Sequence, residues 1–427
     1  MKYTSLFRIL FFAGSISLIL SSCKLDDVTD PNNPNETVLS SNPTLGELNN
    51  LVAGTESVMR NNYDTYLDNV GIVGREHYRF SSSDPRYTSE MLGQGAAVLD
   101  NNSFYTNNSW TQRYRAVKNA NILLKGATNA TTITAEQRKT FSGFAKTIIS
   151  HQLLLNLTQM WSNGVRVDVA DPDKLGGFVT KEAALEYIAN LLNEANSDLN
   201  GQSLSTSTNL GNRASARALA ARVAIYRQKW ADALTYLNES FLDLNGDLNA
   251  GCFLKFSTAT GDQLNRFYYP RNATGELRAA HPAFITEAEL GDTRLSKIAM
   301  RTAVATQSGL SSNYDVAVYS SNTASYSVIR NEELILLYAE AKAQLGETSD
   351  ALIAINRIRN AAGLADYTGG TTTAELINEV LKQRRYSLFC EGHRWIDMRR
   401  YNKLNELPLD RPDDNVWMEY PIPFAEL

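Results

Sequence analysis

The chain has 427 residues, 43% of them hydrophobic and 20% charged, with 41 basic and 46 acidic side chains. This is an ordinary globular composition, long enough to bury one large core. The acidic balance and the absence of a basic stripe exclude a protein built to grip a nucleic-acid backbone, and only Cys252 and Cys390 follow the first 23 residues, so there is no disulfide framework.

The N-terminus reads as an address. Lys2 and Arg8 precede an apolar run, Ile9–Leu20, of the length of a signal-peptide core and too short to span a membrane comfortably. "LSSC" at Leu20–Cys23 resembles the lipobox of bacterial lipoproteins, which implies that residues 1–22 are a leader and that Cys23 carries the lipid. "CKLDD" is similar to the Lys-plus-acidic signal that sends Bacteroidetes lipoproteins to the cell surface. Residues 23–43 are rich in Asp, Asn, Pro and Ser, the composition of a flexible tether. A single folded domain is expected over residues 44–427.

From Thr44 the texture is helical. Apolar residues recur at helical spacing over residues 45–73, 110–127, 141–161 and 181–199. Two later stretches share one pattern. Ala221 and Ala233 are twelve apart, as are Ala339 and Ala351, each pair bridges a turn-prone segment, and Leu237 and Ile355 follow the second Ala by four. Small residues at that spacing let two antiparallel helices approach closely, as in a tetratricopeptide-type repeat. The hairpins are expected near 214–242 and 331–362.

Two stretches, Gly71–Ser109 and Gly251–Tyr326, lack helical period and carry scattered Gly, Asn, Ser and aromatic residues. Long irregular segments within a compact helical domain are usually functional loops. Tyr, with a flat apolar face and a polar tip, suits amphipathic ligands. The candidate ligand residues are therefore Tyr78, Arg79, Asp84, Arg86, Tyr87, Tyr105 and Trp110 from the first stretch, with Tyr268 and Tyr269 from the second. Pro270 biases Tyr269 towards an extended backbone.

"RRYSLFCEGHRWIDMRRYNK", Arg384–Lys403, places a thiol, a carboxylate and an imidazole within four residues. As a helix over Leu376–Glu391, its apolar stripe carries Arg384 and Glu391 side by side, two turns apart. Charges on a buried stripe need partners, so Arg384 and Glu391 are expected to pair, with Arg394 and Asp397 extending the network. Chemistry is a weaker reading. Cys390 points away from Glu391, and His77, His151, His281 and His393 show no metal-ligand spacing. No metal, cofactor or catalytic residue is expected.

Residues Arg384–Arg400 resemble the C-terminal signature of the SusD/RagB family. Arg384, Arg385, Leu388, Glu391, Gly392, His393, Arg394, Asp397, Arg399 and Arg400 match, Met398 replaces Leu, Cys390 stands where an aromatic is common and Ser387 where Glu is common. "GDTR" at Gly291–Arg294 and "YPIPFAEL" at Tyr420–Leu427 are also similar. The resemblance implies a mostly α fold: a tetratricopeptide-like helical-repeat scaffold with long irregular ligand-binding loops. It implies a non-catalytic, lipid-anchored outer-membrane protein, facing outward, that binds oligosaccharide and passes it to a SusC-like TonB-dependent transporter. The same scaffold binding peptides or another nutrient, or a helical-repeat adaptor contacting only proteins, remain alternatives.

Overall fold

The computed structural model describes residues 36–427. The leader, the expected lipidation site Cys23 and most of the expected tether lie outside the described residues. In chain order α1 (Glu36–Ser41), α2 (Leu45–Arg60) and α3 (Tyr63–Val73) lead to β1 (His77–Ser81). Two long helices follow, α4 (Phe104–Asn129) and α5 (Ala135–Met160), then the short strands β2 (Val165–Arg166) and β3 (Phe178–Val179). Next come α6 (Lys181–Asp198), α7 (Arg213–Tyr226) and α8 (Trp230–Asn238). A strand-rich stretch holds β4 (Gly251–Leu254), β5 (Glu276–Ala280), the one-turn α9 (Ala283–Thr286), β6 (Ile298–Gln307), β7 (Leu310–Val316) and β8 (Tyr326–Arg330). The chain closes on α10 (Asn331–Gln344), α11 (Thr348–Ala361), α12 (Thr373–Ser387) and α13 (Arg394–Arg400).

The helices start where their sequences supply caps. Thr44 with Glu47, Thr134 with Gln137 and Thr372 with Glu375 each form a reciprocal capping box. They then stack as neighbours: α4 on α5, α5 on α6, α6 on α7, α7 on α8, α8 on α10, and α10 on α11 and α12. This is the nearest-neighbour logic of a helical solenoid. The repeat pattern falls where expected, with Ala221, Ala233, Leu237, Ala339, Ala351 and Ile355 all fully buried between paired helices.

Three local expectations need correction. The two irregular stretches are partly strand. β1 from the first pairs antiparallel with β5 from the second, and β7 and β6 complete a four-stranded sheet in the order β1-β5-β7-β6. These strands hide from a period-based reading because β1 is buried on both faces, so its sequence does not alternate. The end of the expected tether is also structured: Glu36–Ser41 is helical and Leu39 is buried against the core. Gly126 of α4 permits this approach, since a Cβ there would sit 2.5 Å from the Leu39 carbonyl oxygen.

The third correction concerns the C-terminal signature. α12 ends at Ser387, and Cys390 takes a left-handed φ of 59°. Arg384 and Glu391 therefore leave the common stripe and do not pair. Arg384 instead bonds Asp397 at 2.6 Å, and Asp397 bonds Arg400 at 2.8 Å, which reaches Glu340 of α10 at 2.8 Å. Glu391 bonds Arg330 at the end of β8, at 2.8 Å. Burial opposes ionisation of Asp397, but the guanidinium groups of Arg384 and Arg400 hold its carboxyl down at about 2. Arg394 stands outside this network: its Nε has no hydrogen-bond partner, and burial pushes its guanidinium down to about 10. The signature thus ties α12 and α13 to the repeat helices, as an ion-pair brace with different partners from those the spacing suggests.

Candidate functional site

Asp68 organises the site from below. It lies on α3, buried, and its carboxylate takes Arg278 in a two-pronged bond, both distances 2.6 Å, Arg79 at 2.8 Å and His77 Nε2 at 3.0 Å. Burial alone would favour the acid form, but Arg278 and Arg79 hold Asp68 well below the usual carboxylate range. β1 and β5 bring the two arginines together, since Arg79 and Arg278 are directly opposite in the antiparallel register.

Above Asp68, rings and guanidinium groups alternate. Arg278 lies 4.0 Å from the Phe267 ring centre and 5.2 Å from that of Tyr269. Arg79 lies 5.5 Å from Tyr269 and 4.8 Å from Tyr87. Arg79 also donates to the Tyr269 hydroxyl at 3.0 Å. The series runs from buried Phe267 to half-buried Tyr269 and Tyr87. Burial pushes the Tyr87 phenol up to about 12, so it stays a neutral donor. Beyond Tyr87, Phe104 meets it edge-on, and Arg86 covers Phe104 at 4.7 Å while bonding Asp84 at 2.7 Å. Glu276 at the rim accepts from Ser81 and Ser83.

Five of the nine candidates, Arg79, Asp84, Arg86, Tyr87 and Tyr269, therefore meet on one surface. Tyr268 follows on the same loop, half-buried. The other three lie in the core. Tyr78 points to the opposite face of β1 from Arg79, stacking on Phe80 and reaching His281. Tyr105 and Trp110 belong to α4, which begins a turn and a half before the periodic stretch. Tyr105 bonds Glu90, and Trp110 donates to Glu426 at 2.9 Å and stacks on Phe178. Loop composition missed Asp68, Phe267, Arg278 and Glu276. Asp68 did carry a signal: it falls beside Leu67, Val70, Ile72 and Val73 in a helix with the apolar content of a core element, where a carboxylate must have a partner.

The clustered thiol of the signature also finds neighbours that the spacing did not reveal. Cys390 Sγ lies 3.6 Å from His77 Nδ1, and His77 Nε2 reaches Asp68. The order matches a nucleophile, base and orienting acid. However, Cys390 and His77 are 0% exposed and Asp68 2%. Burial raises the thiol well above its usual range and lowers the imidazole. Both stay neutral and closed to substrate, a buried polar chain under the surface site. Among the described residues, no group of three or more His, Cys, Asp or Glu side chains is placed to hold a metal ion, and no helix is long and apolar enough to cross a membrane.

Comparison with known proteins converges on one family. The SusD family model matches residues 292–421, which include the whole C-terminal signature. The SusD-like protein P38 of Formosa agariphila is 34% identical over 110 residues, a match spanning 22% of this chain and 22% of that relative. The surface glycan-binding protein A of Bacteroides thetaiotaomicron, solved in complex with laminarihexaose, superposes with a TM-score of 0.73 at 15% identity, over 90% of this chain and 97% of that one. A SusD superfamily protein from Bacteroides vulgatus superposes with a TM-score of 0.69 at 15% identity, over 89% of this chain and 96% of that one. Residues 292–421 match the SusD family model, and the fold superposes on those of SusD superfamily proteins over about nine-tenths of the chain.

Proposed function

We propose that this protein captures oligosaccharides at the cell surface, without chemically altering them, and passes them to a SusC-like TonB-dependent outer-membrane transporter. The observation that carries the reading is the partly exposed end of the ring-and-guanidinium series at Tyr269, Arg79 and Tyr87, rimmed by Asp84, Arg86 and Glu276. A sugar presents an apolar C–H face and a ring of hydroxyls. Tyrosine faces take the first, and planar charged groups take the second. Asp68 fixes Arg79 from beneath, so these groups are ordered before ligand arrives, which lowers the entropy lost on binding. The laminarihexaose complex of the Bacteroides thetaiotaomicron relative supports the ligand class.

An open surface desolvates little, so affinities on the order of 10 μM to 1 mM are expected. Calorimetry against a panel of oligosaccharides and peptides is the test. Tyr87→Ala and Tyr269→Ala should each weaken the best ligand by about fivefold or more, since one lost stacking face is worth about 1 kcal/mol. Peptides binding better than any sugar would replace the ligand class, and product appearing from any panel member would make the protein an enzyme. Anchoring rests on Cys23 and the apolar run before it. Cys23→Ala should move the protein from the membrane fraction to the soluble one; unchanged partitioning would remove the anchor from the account.

A further inference from the structure

A second concave surface shares no lining residue with the Tyr87 and Tyr269 face. One wall is a stripe along α4, where Tyr114, Arg115, Lys118, Ile122 and Lys125 recur at helical spacing. The opposite wall is the loop between β2 and β3, which turns Val169, Pro172 and Leu175 towards the stripe. α1 closes one end with Glu36. The groove is open on one side and its volume is about 600 Å³, within the size range of small-ligand pockets.

The groove is built in advance of any ligand. Arg166 pins the loop wall, donating to the Gly176 carbonyl at 2.6 Å and pairing with Glu426 at 2.9 Å. The Tyr114 hydroxyl holds Arg166 to α4, donating to its carbonyl at 2.8 Å and accepting from its N–H at 3.0 Å. Within this frame the chemistry is two-sided. Leu175 is 51% exposed on the loop, and with Val169, Pro172 and Ile122 it gives the groove an apolar lip. Facing it, Arg115 and Lys125 have no ion-pair partner among the described residues. Lys118 has only Glu36, in an exposed pair at 2.8 Å, the kind that contributes little and exchanges readily.

We propose that this groove is a separate binding site for an amphipathic organic anion, with its apolar body against Leu175, Pro172 and Ile122 and its negative group against Arg115, Lys118 and Lys125. An unsubstituted sugar fits less well. Trp110, the large ring at this end, is 3% exposed and stacked on Phe178, so no open indole platform remains for a sugar ring. Of the carboxylates in the lining, Glu426 is taken by Arg166 and Glu36 by Lys118, which leaves Asp171 against Arg115 and Lys125, so the excess charge is positive and with the apolar lip favours an anion.

Two aryl probes with the same body separate the terms: 8-anilino-1-naphthalenesulfonate, which carries the anion, and N-phenyl-1-naphthylamine, which lacks it. Fluorescence titration of the full chain should show saturable binding of the sulfonate, at least tenfold tighter than the amine and weakening as salt rises. Arg115→Glu with Lys125→Glu should weaken the sulfonate at least tenfold. Leu175→Asp should weaken both probes. All three positions are exposed or partly exposed, so the melting temperature should hold, and the wild-type comparison of the two probes stands even if a variant fails to fold. Tyr87→Ala with Tyr269→Ala should leave sulfonate binding unchanged, which keeps this site independent of the sugar site. Equal affinity for the two probes, no response to the charge reversal, or loss of the sulfonate in the tyrosine variant would overturn the proposal.

Discussion

Asp68 and Glu391 show what single carboxylates do in this molecule. Each neutralises arginine inside the core, and each sits where no local pattern names its partner. Arg330 lies 61 residues from Glu391 in the chain and Arg278 lies 210 from Asp68, so the need for a partner was legible and its identity was not. The expected Arg384–Glu391 pair failed for a local reason: α12 stops at Ser387, and the residues after it turn away. Glu391→Ala should still destabilise the fold. It leaves the Arg330 guanidinium with Glu332 and the Ser387 carbonyl but without its two-pronged partner. Removing one member of a buried pair costs about 3–5 kcal/mol, and the remaining Glu332 sets the expectation near the lower end. Chemical denaturation reads the cost, and a variant that unfolds like wild type but loses ligand would transfer Glu391 from the brace to the binding site.

The helices were readable one at a time because their information is local. Caps, apolar period and the paired alanines all lie within a few turns of each other. The sheet was not, because β1 and β5 are separated by nearly two hundred residues and each strand is short and buried. That one fact explains both sides of the site reading. The sheet joins the two irregular stretches and brings Arg79 to Tyr269, and the same strand turns Tyr78 inward. α4 explains the other misplacements, since it absorbs Tyr105 and Trp110 into the helix layer. Trp110→Ala should therefore act on stability, at about 3–5 kcal/mol for a large buried aromatic, and leave the affinity for the best sugar within about twofold once folding is accounted for. A loss of affinity in a variant that melts normally would return Trp110 to the binding surface.

Across the whole molecule the helical solenoid, the strand-rich insertion and the C-terminal signature divide the work. The stacked helices supply the body, the insertion between α8 and α10 supplies β5 and the Tyr269 loop, and the signature locks the last helices back onto α5, α7 and α10. Arg399 donates to the Thr158 carbonyl of α5 at 2.6 Å, Arg222 of α7 pairs with Glu333 of α10 at 2.6 Å, and His393 lies 3.7 Å from that same Glu333. The signature is a brace, and through Cys390 against His77 it touches β1, the strand that carries Arg79. Locating a bound oligosaccharide by crystallography, using the tightest ligand from the calorimetric panel, tests this most directly. The account predicts a sugar ring lying over Tyr269 or Tyr87 with its hydroxyls reaching Arg79, Asp84, Arg86 or Glu276. A sugar found in the groove along α4, or on the outer faces of the helical repeats with Tyr87 and Tyr269 bare, would contradict it.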